Sequence, residues 1–168
     1  MKHFISRRNF LKAVGVTAAA SAMAAAVPQA SAGFLTGKDA AVTILYTNDV
    51  HTYIDNKSPK LTYAAIAAMK QGYVDEGKPV LLVDAGDHIQ GTAYGSMDDG
   101  ATIIELMNEA GYDIATLGNH EFDYGMARTK AIIKEADFPY VSCNWVDLRT
   151  GLRVLPAVKL FPAGGKWI

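Results

Sequence analysis

The sequence predicts an α/β fold built on a largely parallel sheet. Short apolar runs rich in β-branched residues alternate with segments of about ten residues whose apolar side chains recur at helical spacing. Residues 80–83 (VLLV) are apolar throughout, as strands are when both faces of a parallel sheet are covered. Strands that alternate with helices are typical of parallel sheets joined by crossover helices.

Three elements are predicted before residue 84. Residues 42–47 (VTILYT) are β-branched and aromatic, and they predict the first strand. Residues 61–71 are rich in alanine and carry an apolar stripe, so they predict the first helix, which Gly72 should close. After a turn at 77–79, residues 80–83 predict the second strand because the apolar run is short and continuous.

Two helices and one strand are predicted in the middle of the chain. Residues 101–110 have apolar side chains at helical spacing and predict the second helix, with Gly111 as its stop. Residues 112–117 form a short, mainly apolar run, which predicts the third strand. Helical periodicity returns at 126–136 and predicts the third helix.

The rest of the chain predicts strands only. Residues 140–145 (YVSCNW) predict a fourth strand, and residues 153–161 predict a further one after the turn at Thr150–Gly151. Gly164 and Gly165 predict another turn, after which a new strand would begin at Lys166. We therefore expect the chain to stop within a larger architecture.

The first 32 residues predict an export signal that is removed from the mature protein. Basic residues without any acid precede a weakly hydrophobic, alanine-rich run at 13–27, and residues 30–32 (ASA) form a small-residue cleavage site. Residues 6–12 (SRRNFLK) resemble the twin-arginine signal, and an ordinary secretory signal is the alternative. A run of about 15 residues is too short to span about 30 Å of hydrocarbon.

This signal predicts both the division of the chain into domains and the location of the mature protein. Residues 1–32 would be the signal peptide, and residues 33–168 would be exported by the twin-arginine machinery to the periplasm or the extracellular space. The sole cysteine, Cys143, lies far from the cleavage site, so we expect no lipid anchor and no stable membrane attachment. A single cysteine forms no intramolecular disulfide, and in its apolar run we expect Cys143 to be a small core residue rather than a nucleophile.

The charge balance argues against a nucleic-acid-binding face. The chain is 50% hydrophobic and 20% charged, as soluble globular proteins are. Removal of residues 1–32 leaves 12 of the 16 basic residues and all 17 acidic ones, which gives a net charge of about −5. Nucleic-acid binding needs clustered Lys and Arg, so we expect no nucleic-acid partner.

Polar side chains follow three predicted strands where each one ends. Asp49 and His51 follow the first strand, Asp87 the second, and Asn119 with His120 the third. Asp49 and His51 share one face if strand geometry persists, and ligands bind beyond the carboxyl ends of strands in open α/β sheets. This mixture of oxygen and nitrogen donors suits Mn, Fe, Zn, Mg or Ca, and the absence of thiolate argues against copper(I) and iron–sulfur.

Each of these residue types also has a simpler interpretation. An Asp at a strand end is often a turn former or a helix N-cap, and Asp123 could cap the helix that begins near Gly125. We expect Asp84 to accept hydrogen bonds from loop amides, and His88 to be an ordinary loop residue. The joint occurrence of such groups at three strand ends favours the metal site.

Five sequence blocks resemble the bacterial 5′-nucleotidase family of calcineurin-like metallophosphoesterases. They occur in the family's order and extend over nearly all of the predicted mature chain. The blocks are 47–51 (TNDVH), 84–87 (DAGD), 90–92 (QGT), 106–113 (LMNEAGYD) and 118–125 (GNHEFDYG). The resemblance implies the first half of a four-layer α/β/β/α sandwich, which would leave one face of the sheet exposed and favour association.

The resemblance also implies a centre of two divalent metal ions. Asp49 and His51 would bind the first ion, Asp87 would bridge both ions, and Asn119 would bind the second. Two such ions about 3.5–4 Å apart clamp a phosphate and activate a water that attacks phosphorus in line.

His120 would be the catalytic histidine, and Asp123 would orient its imidazole. A protonated histidine stabilises the negative charge that builds on the phosphoryl and leaving oxygens. A neighbouring carboxylate raises the pKa of the histidine, because an opposite charge favours the protonated form.

The implied activity is hydrolysis of a small phosphate ester, in the first instance a nucleotide. The sequence departs from the family because no histidine follows His120, whereas the family draws further ligands from a downstream G-H-x-H motif. We also expect this chain to lack the family's C-terminal substrate-recognition domain, and therefore expect this chain alone to be weak or inactive. The alternatives are a 2′,3′-cyclic phosphodiesterase, a nucleotide-sugar hydrolase or a thiosulfohydrolase, and, in another class, a non-catalytic metal-binding fragment.

Overall fold

A four-stranded parallel sheet organises the computed structural model, which describes residues 41–54 and 62–168. Its strands lie side by side in chain order, and every pairing is parallel. They are β1 Thr43–Thr47, β2 Val80–Asp84, β3 Ile114–Thr116 and β4 Tyr140–Val141. The sheet confirms the predicted α/β class, whereas the predicted signal, the segment 33–40 and the loop at 56–59 lie outside the described residues.

Helices fill the connections between successive strands. They are α1 Tyr63–Asp75, α2 Ala93–Ser96, α3 Ala101–Ala110 and α4 Met126–Glu135, with a 3₁₀ turn at His120–Phe122. The helices α1, α3 and α4 pack side by side, because right-handed connections that advance one strand at a time put their helices on one face. No helix within the described part of the chain has the length and apolar character needed to cross a membrane.

The hydrophobic core lies between this helical layer and the sheet. Leu82 of β2, Met107 of α3 and Ile132 of α4 are fully buried. On β1, in contrast, Ile44 and Tyr46 are 53% and 74% exposed, so one side of this strand is uncovered. The exposed side agrees with half of a two-sheet sandwich, and association through it stays a prediction.

The first helix runs past the glycine that was expected to close it. The helix α1 continues through Gly72 to Asp75, and the chain turns at Gly77, which has a φ of 68°. The expected stop was wrong because a glycine inside a helix costs only about 1 kcal/mol. Burial of Tyr63 and Ile66 on the inner face of α1 offsets that loss.

The predicted strands at 140–145 and 153–161 are mostly not formed. The strand β4 ends at Val141, and residues 153–161, all of them described, contribute only an isolated bridge between Val146 and Arg153. Pro156 explains the second error, since proline cannot donate to a strand ladder; its carbonyl instead accepts from the Ser142 N–H at 2.9 Å.

Two further expectations concern this C-terminal part. Cys143 is exposed, so its prediction as a core residue is wrong, because β4 ends before it and the following loop lies on the surface. The strand expected at Lys166 is confirmed as β6 Lys166–Trp167, which pairs antiparallel with β5 Pro162–Ala163. Gly164 and Gly165 join the two strands, both with positive φ, as a tight hairpin turn requires.

Candidate metal centre

Two carboxylates and an imidazole meet beyond the carboxyl ends of β1 and β2. One ligand atom from each of Asp49, His51 and Asp87 lies within 4.8 Å of the other two. The His51 Nε2 and an Asp49 carboxylate oxygen are 3.6 Å apart. The Asp49 side chain is 55% exposed and the His51 side chain 27%, so a cation can reach both from solvent.

Left-handed backbone turns create this convergence. Asp49, His51 and Asp87 have φ values of 52°, 47° and 58°, a region that residues other than glycine adopt at a cost of about 1–3 kcal/mol. The premise that strand geometry persists to His51 was therefore wrong, because β1 ends at Thr47. Hydrogen bonds between the loops hold the turns, from the Asp49 N–H to the Gly86 carbonyl (3.1 Å) and from the His51 N–H to the Asp87 carbonyl (3.0 Å).

The His51 ring is oriented by a backbone carbonyl. Its Nδ1 lies 3.1 Å from the Gln90 oxygen. Because a carbonyl only accepts, Nδ1 is the donor in this contact, which leaves Nε2, on the side of Asp49, as the nitrogen available to a metal. A histidine held in this way by its other nitrogen has the usual arrangement of a metal ligand.

His120 and Asp123 lie beside this cluster. The His120 N–H donates to an Asp87 carboxylate oxygen at 2.8 Å, and the His51 and His120 ring centroids are 5.0 Å apart. The His120 Nδ1 contacts an Asp123 oxygen at 2.7 Å, and this hydrogen bond raises the pKa of the His120 imidazole. Asp123 is not the cap of α4, because Gly125 holds that position and no side chain of the described residues caps it.

Asn119 is exposed and immediately precedes the 3₁₀ turn. Asn119 follows the strand β3, and the next residue, His120, donates its N–H to Asp87. Asn119 therefore lies at the same edge of the sheet as the cluster. The structure thus places all the predicted site residues on the loops after β1, β2 and β3. Their individual roles as ligands and catalysts stay predictions.

Two glycines allow the β2 and β3 loops to touch through their backbones. A Cβ atom at Gly118 would lie 2.2 Å from an Asp87 carboxylate oxygen and 2.8 Å from the Asp87 nitrogen. A Cβ atom at Gly86 would lie 2.4 Å from the Gly118 nitrogen. Any larger side chain at either position would push the two loops apart.

A buried polar network under the site was only partly expected. As predicted, Asp84 accepts from a loop amide, the Gly86 N–H at 2.8 Å. His88, expected to be an ordinary loop residue, is fully buried between Asp84 (2.7 Å) and the Tyr140 hydroxyl (2.8 Å). Burial lowers the pKa of His88, but the Asp84 hydrogen bond and the nearby carboxylates outweigh that effect and raise the pKa overall.

Glu121 is the residue that sequence reasoning did not single out. It is 1% exposed, and its carboxylate accepts hydrogen bonds from backbone amides of the β2 and β3 loops. The only sequence signal was its place inside the block 118–125, where a charged residue would need partners if buried.

A parallel α/β sheet whose strand ends gather an Asp-x-His pair, an Asp and an Asn-His pair is the arrangement that the sequence resemblance implied for the metallophosphoesterase class. The chain belongs to the calcineurin-like phosphoesterase family, whose model matches residues 42–166. The resemblance that the sequence blocks indicated is therefore confirmed at the level of the family.

Proteins similar to this chain are named as nucleotidases. A snake venom 5′-nucleotidase from Gloydius brevicauda is 40% identical over 114 residues, which are 61% of this chain and 19% of that protein. The trifunctional nucleotide phosphoesterase protein YfkN of Bacillus subtilis is 37% identical over 122 residues, which are 61% of this chain and 8% of that protein.

A solved structure shows the same architecture. The 5′-nucleotidase precursor of Thermus thermophilus matches with a TM-score of 0.65 and 29% identity, over 75% of this chain and 27% of that one. The chain thus spans about a fifth of the snake venom relative and about a quarter of this structure.

Proposed function

We propose that this chain carries the metal-binding part of an exported phosphohydrolase that cleaves phosphate esters of nucleotides. The observation that carries the proposal is the convergence of Asp49, His51 and Asp87 within 4.8 Å, beside the hydrogen-bonded pair of His120 and Asp123. The names of the similar proteins support nucleotides as the substrate class. The predicted twin-arginine signal at 1–32 supports export.

The donor set fits divalent cations. It combines carboxylate oxygens with an imidazole that is held through Nδ1 and so offers Nε2, and such hard and borderline ligands suit Mn, Fe, Zn, Mg or Ca. Asp49 and His51 would hold one ion, Asp87 would be shared, and Asn119 would hold a second. Such ions, when bound, supply positive charge for the phosphate oxygens and make water a nucleophile near neutral pH.

His120 would act on the leaving side of the phosphate. Its Nδ1 is held by Asp123 at 2.7 Å, which leaves Nε2 as the nitrogen that can donate to a substrate oxygen. As an imidazolium it would stabilise the charge that develops on the phosphoryl group and give a proton to the departing alkoxide. Asp123 would fix the ring orientation and offset the positive charge.

A non-catalytic metal-binding module is the second candidate. The observation that favours it is that the metal-binding cluster among the described residues comprises three side chains, Asp49, His51 and Asp87, which is enough to hold one ion. Both candidates predict metal binding, and they differ in whether phosphate esters are cleaved.

Metal binding and hydrolysis by the purified chain test the proposal. The wild-type chain should bind Mn²⁺, and Asp87→Asn should weaken binding strongly because it removes a charge from the middle of the cluster. Electron paramagnetic resonance of free Mn²⁺ measures this affinity, and release of phosphate from AMP measures activity. A wild-type chain that binds no Mn²⁺ would refute the proposal. Phosphate release from AMP that Asp87→Asn abolishes would exclude the second candidate, whereas this chain alone is expected to be weak or inactive under either candidate.

A further inference from the structure

We propose that Glu121 is a positioning residue that sets the distance between the β2 loop, which carries Asp87, and the β3 loop, which carries Asn119 and His120. The inference rests on the proposed function, because it assigns to Glu121 the spacing of the metal-binding groups. Glu121 itself lies beneath the site and does not face the solvent from which substrate arrives.

One carboxylate joins the two loops directly. Oε2 of Glu121 accepts from the Asp87 N–H at 2.8 Å and from the Gly118 N–H at 2.6 Å, so a single oxygen is shared between the loops. Oε1 accepts from the His88 N–H at 2.8 Å. The Ile89 N–H also donates to Oε1, at 3.4 Å, so both oxygens of this buried carboxylate accept from main-chain donors, three on the β2 loop and one on the β3 loop.

These hydrogen bonds act where the loops already touch. Gly86 and Gly118 let the two backbones approach so closely that no Cβ atom fits at either position. Asp87 holds a left-handed conformation there, with a φ of 58°, which needs support from its neighbours. The Glu121 carboxylate accepts a hydrogen bond from the Asp87 N–H, and it thereby fixes the Asp87 backbone so that the side chain is directed towards the site.

Glu121 is itself anchored from behind. The Thr129 hydroxyl of α4 donates to the Glu121 carbonyl at 2.7 Å, and Thr129 is buried. The helix α4 therefore fixes the 3₁₀ turn, and the turn fixes the carboxylate. These contacts link the packed helix α4 to the spacing of the β2 and β3 loops.

The test uses the full chain, Mn²⁺ alone as the probe, and the isosteric variant Glu121→Gln. A glutamine keeps the size of the side chain but replaces one accepting oxygen by a donating NH₂, which opposes a backbone N–H. We expect the affinity for Mn²⁺ to fall about 10–100-fold, the usual effect of losing a group that orients a ligand. Glu105→Gln is the matched control, since Glu105 is an exposed residue of α3, and it should leave the affinity unchanged.

Amide hydrogen exchange, followed by nuclear magnetic resonance, tests the hydrogen bonds to Glu121 without any metal. In the metal-free wild-type chain, the amides of Asp87, His88 and Gly118 should exchange slowly despite their place in loops. In Glu121→Gln at least one of these amides should lose its protection while the strand amides of β2 keep theirs. Fast exchange of all three in the folded wild type would overturn the proposal.

The remaining outcomes separate the two proposals. An unchanged Mn²⁺ affinity in folded Glu121→Gln overturns the positioning role and leaves the proposed function standing. If that variant does not fold, Thr129→Val takes its place, since it removes the hydroxyl that anchors Glu121. An unchanged Mn²⁺ affinity in Thr129→Val would also overturn the positioning role. A wild-type chain with slow amides that binds no Mn²⁺ refutes the proposed function, and the positioning role falls with it.

Discussion

Adding one methyl group at Gly118 tests whether the contact between the β2 and β3 loops supports the site. In Gly118→Ala the new Cβ atom would lie 2.2 Å from an Asp87 carboxylate oxygen, whereas ordinary contacts begin at 3.4 Å. The loops must therefore separate by about 1 Å, and overpacking of this kind costs about 1–3 kcal/mol of unfolding free energy. Because the clash falls on Asp87 itself, the affinity for Mn²⁺ should drop by about 10-fold or more.

Gly72→Ala is the matched control, because it is the same chemical change at an open position. Gly72 is an exposed residue of α1, and beyond its own helix no described atom lies within 4 Å of a Cβ there. Alanine should raise the unfolding free energy by about 0.5–1 kcal/mol and leave Mn²⁺ binding unchanged.

Urea denaturation measures the two stabilities, and electron paramagnetic resonance measures the affinity for Mn²⁺. The two variants should shift the unfolding midpoint in opposite directions, provided that the slope of the transition is unchanged. The reasoning would be refuted if Gly118→Ala matched the wild type in both stability and Mn²⁺ affinity.

Two further predictions concern buried polar groups away from the site. Lys70→Met should lower the unfolding free energy by about 1.5–3 kcal/mol in urea denaturation, since the buried ammonium donates to Asp113 at 2.7 Å and to the Gly111 carbonyl. Lys78→Met is the control: it removes an exposed ion pair with Glu76 and should change the unfolding free energy little. Tyr63→Phe should raise the unfolding free energy by about 1 kcal/mol, because this buried hydroxyl has no hydrogen-bond partner among the described residues. Burial raises the pKa of Tyr63 well above its ordinary value, so above a pH of about 10 this tyrosine ionises in the unfolded state but not in the folded state. Ionisation stabilises the unfolded state, and the unfolding free energy of the wild type therefore falls as the pH rises. The advantage of Tyr63→Phe should therefore grow from pH 8 to pH 11, and a constant difference would contradict the assignment of Tyr63 as a buried neutral group.

The sequence was sufficient to predict the α/β class and most of its elements. The strand β2 and the helices α3 and α4 were predicted almost to the residue, because periodicity and glycine stops are local signals. The candidate site was also visible, since parallel strands bring their carboxyl ends to one edge of the sheet and the polar residues follow those ends. The role of each residue in that site stays a prediction.

Only the tertiary structure decided how the loops meet. Asp49 and His51 come together through left-handed turns held by the β2 loop, and Glu121 is important through amides that lie more than 30 residues earlier in the chain. The strand predicted at 153–161 is interrupted by Pro156, which cannot donate to a strand ladder. Cys143 was misjudged because a short apolar run does not reveal where its strand ends, and β4 ends at Val141. Periodicity depends on adjacent residues, whereas a buried carboxylate is stable only where distant donors converge on it, and that convergence exists only once the chain has folded.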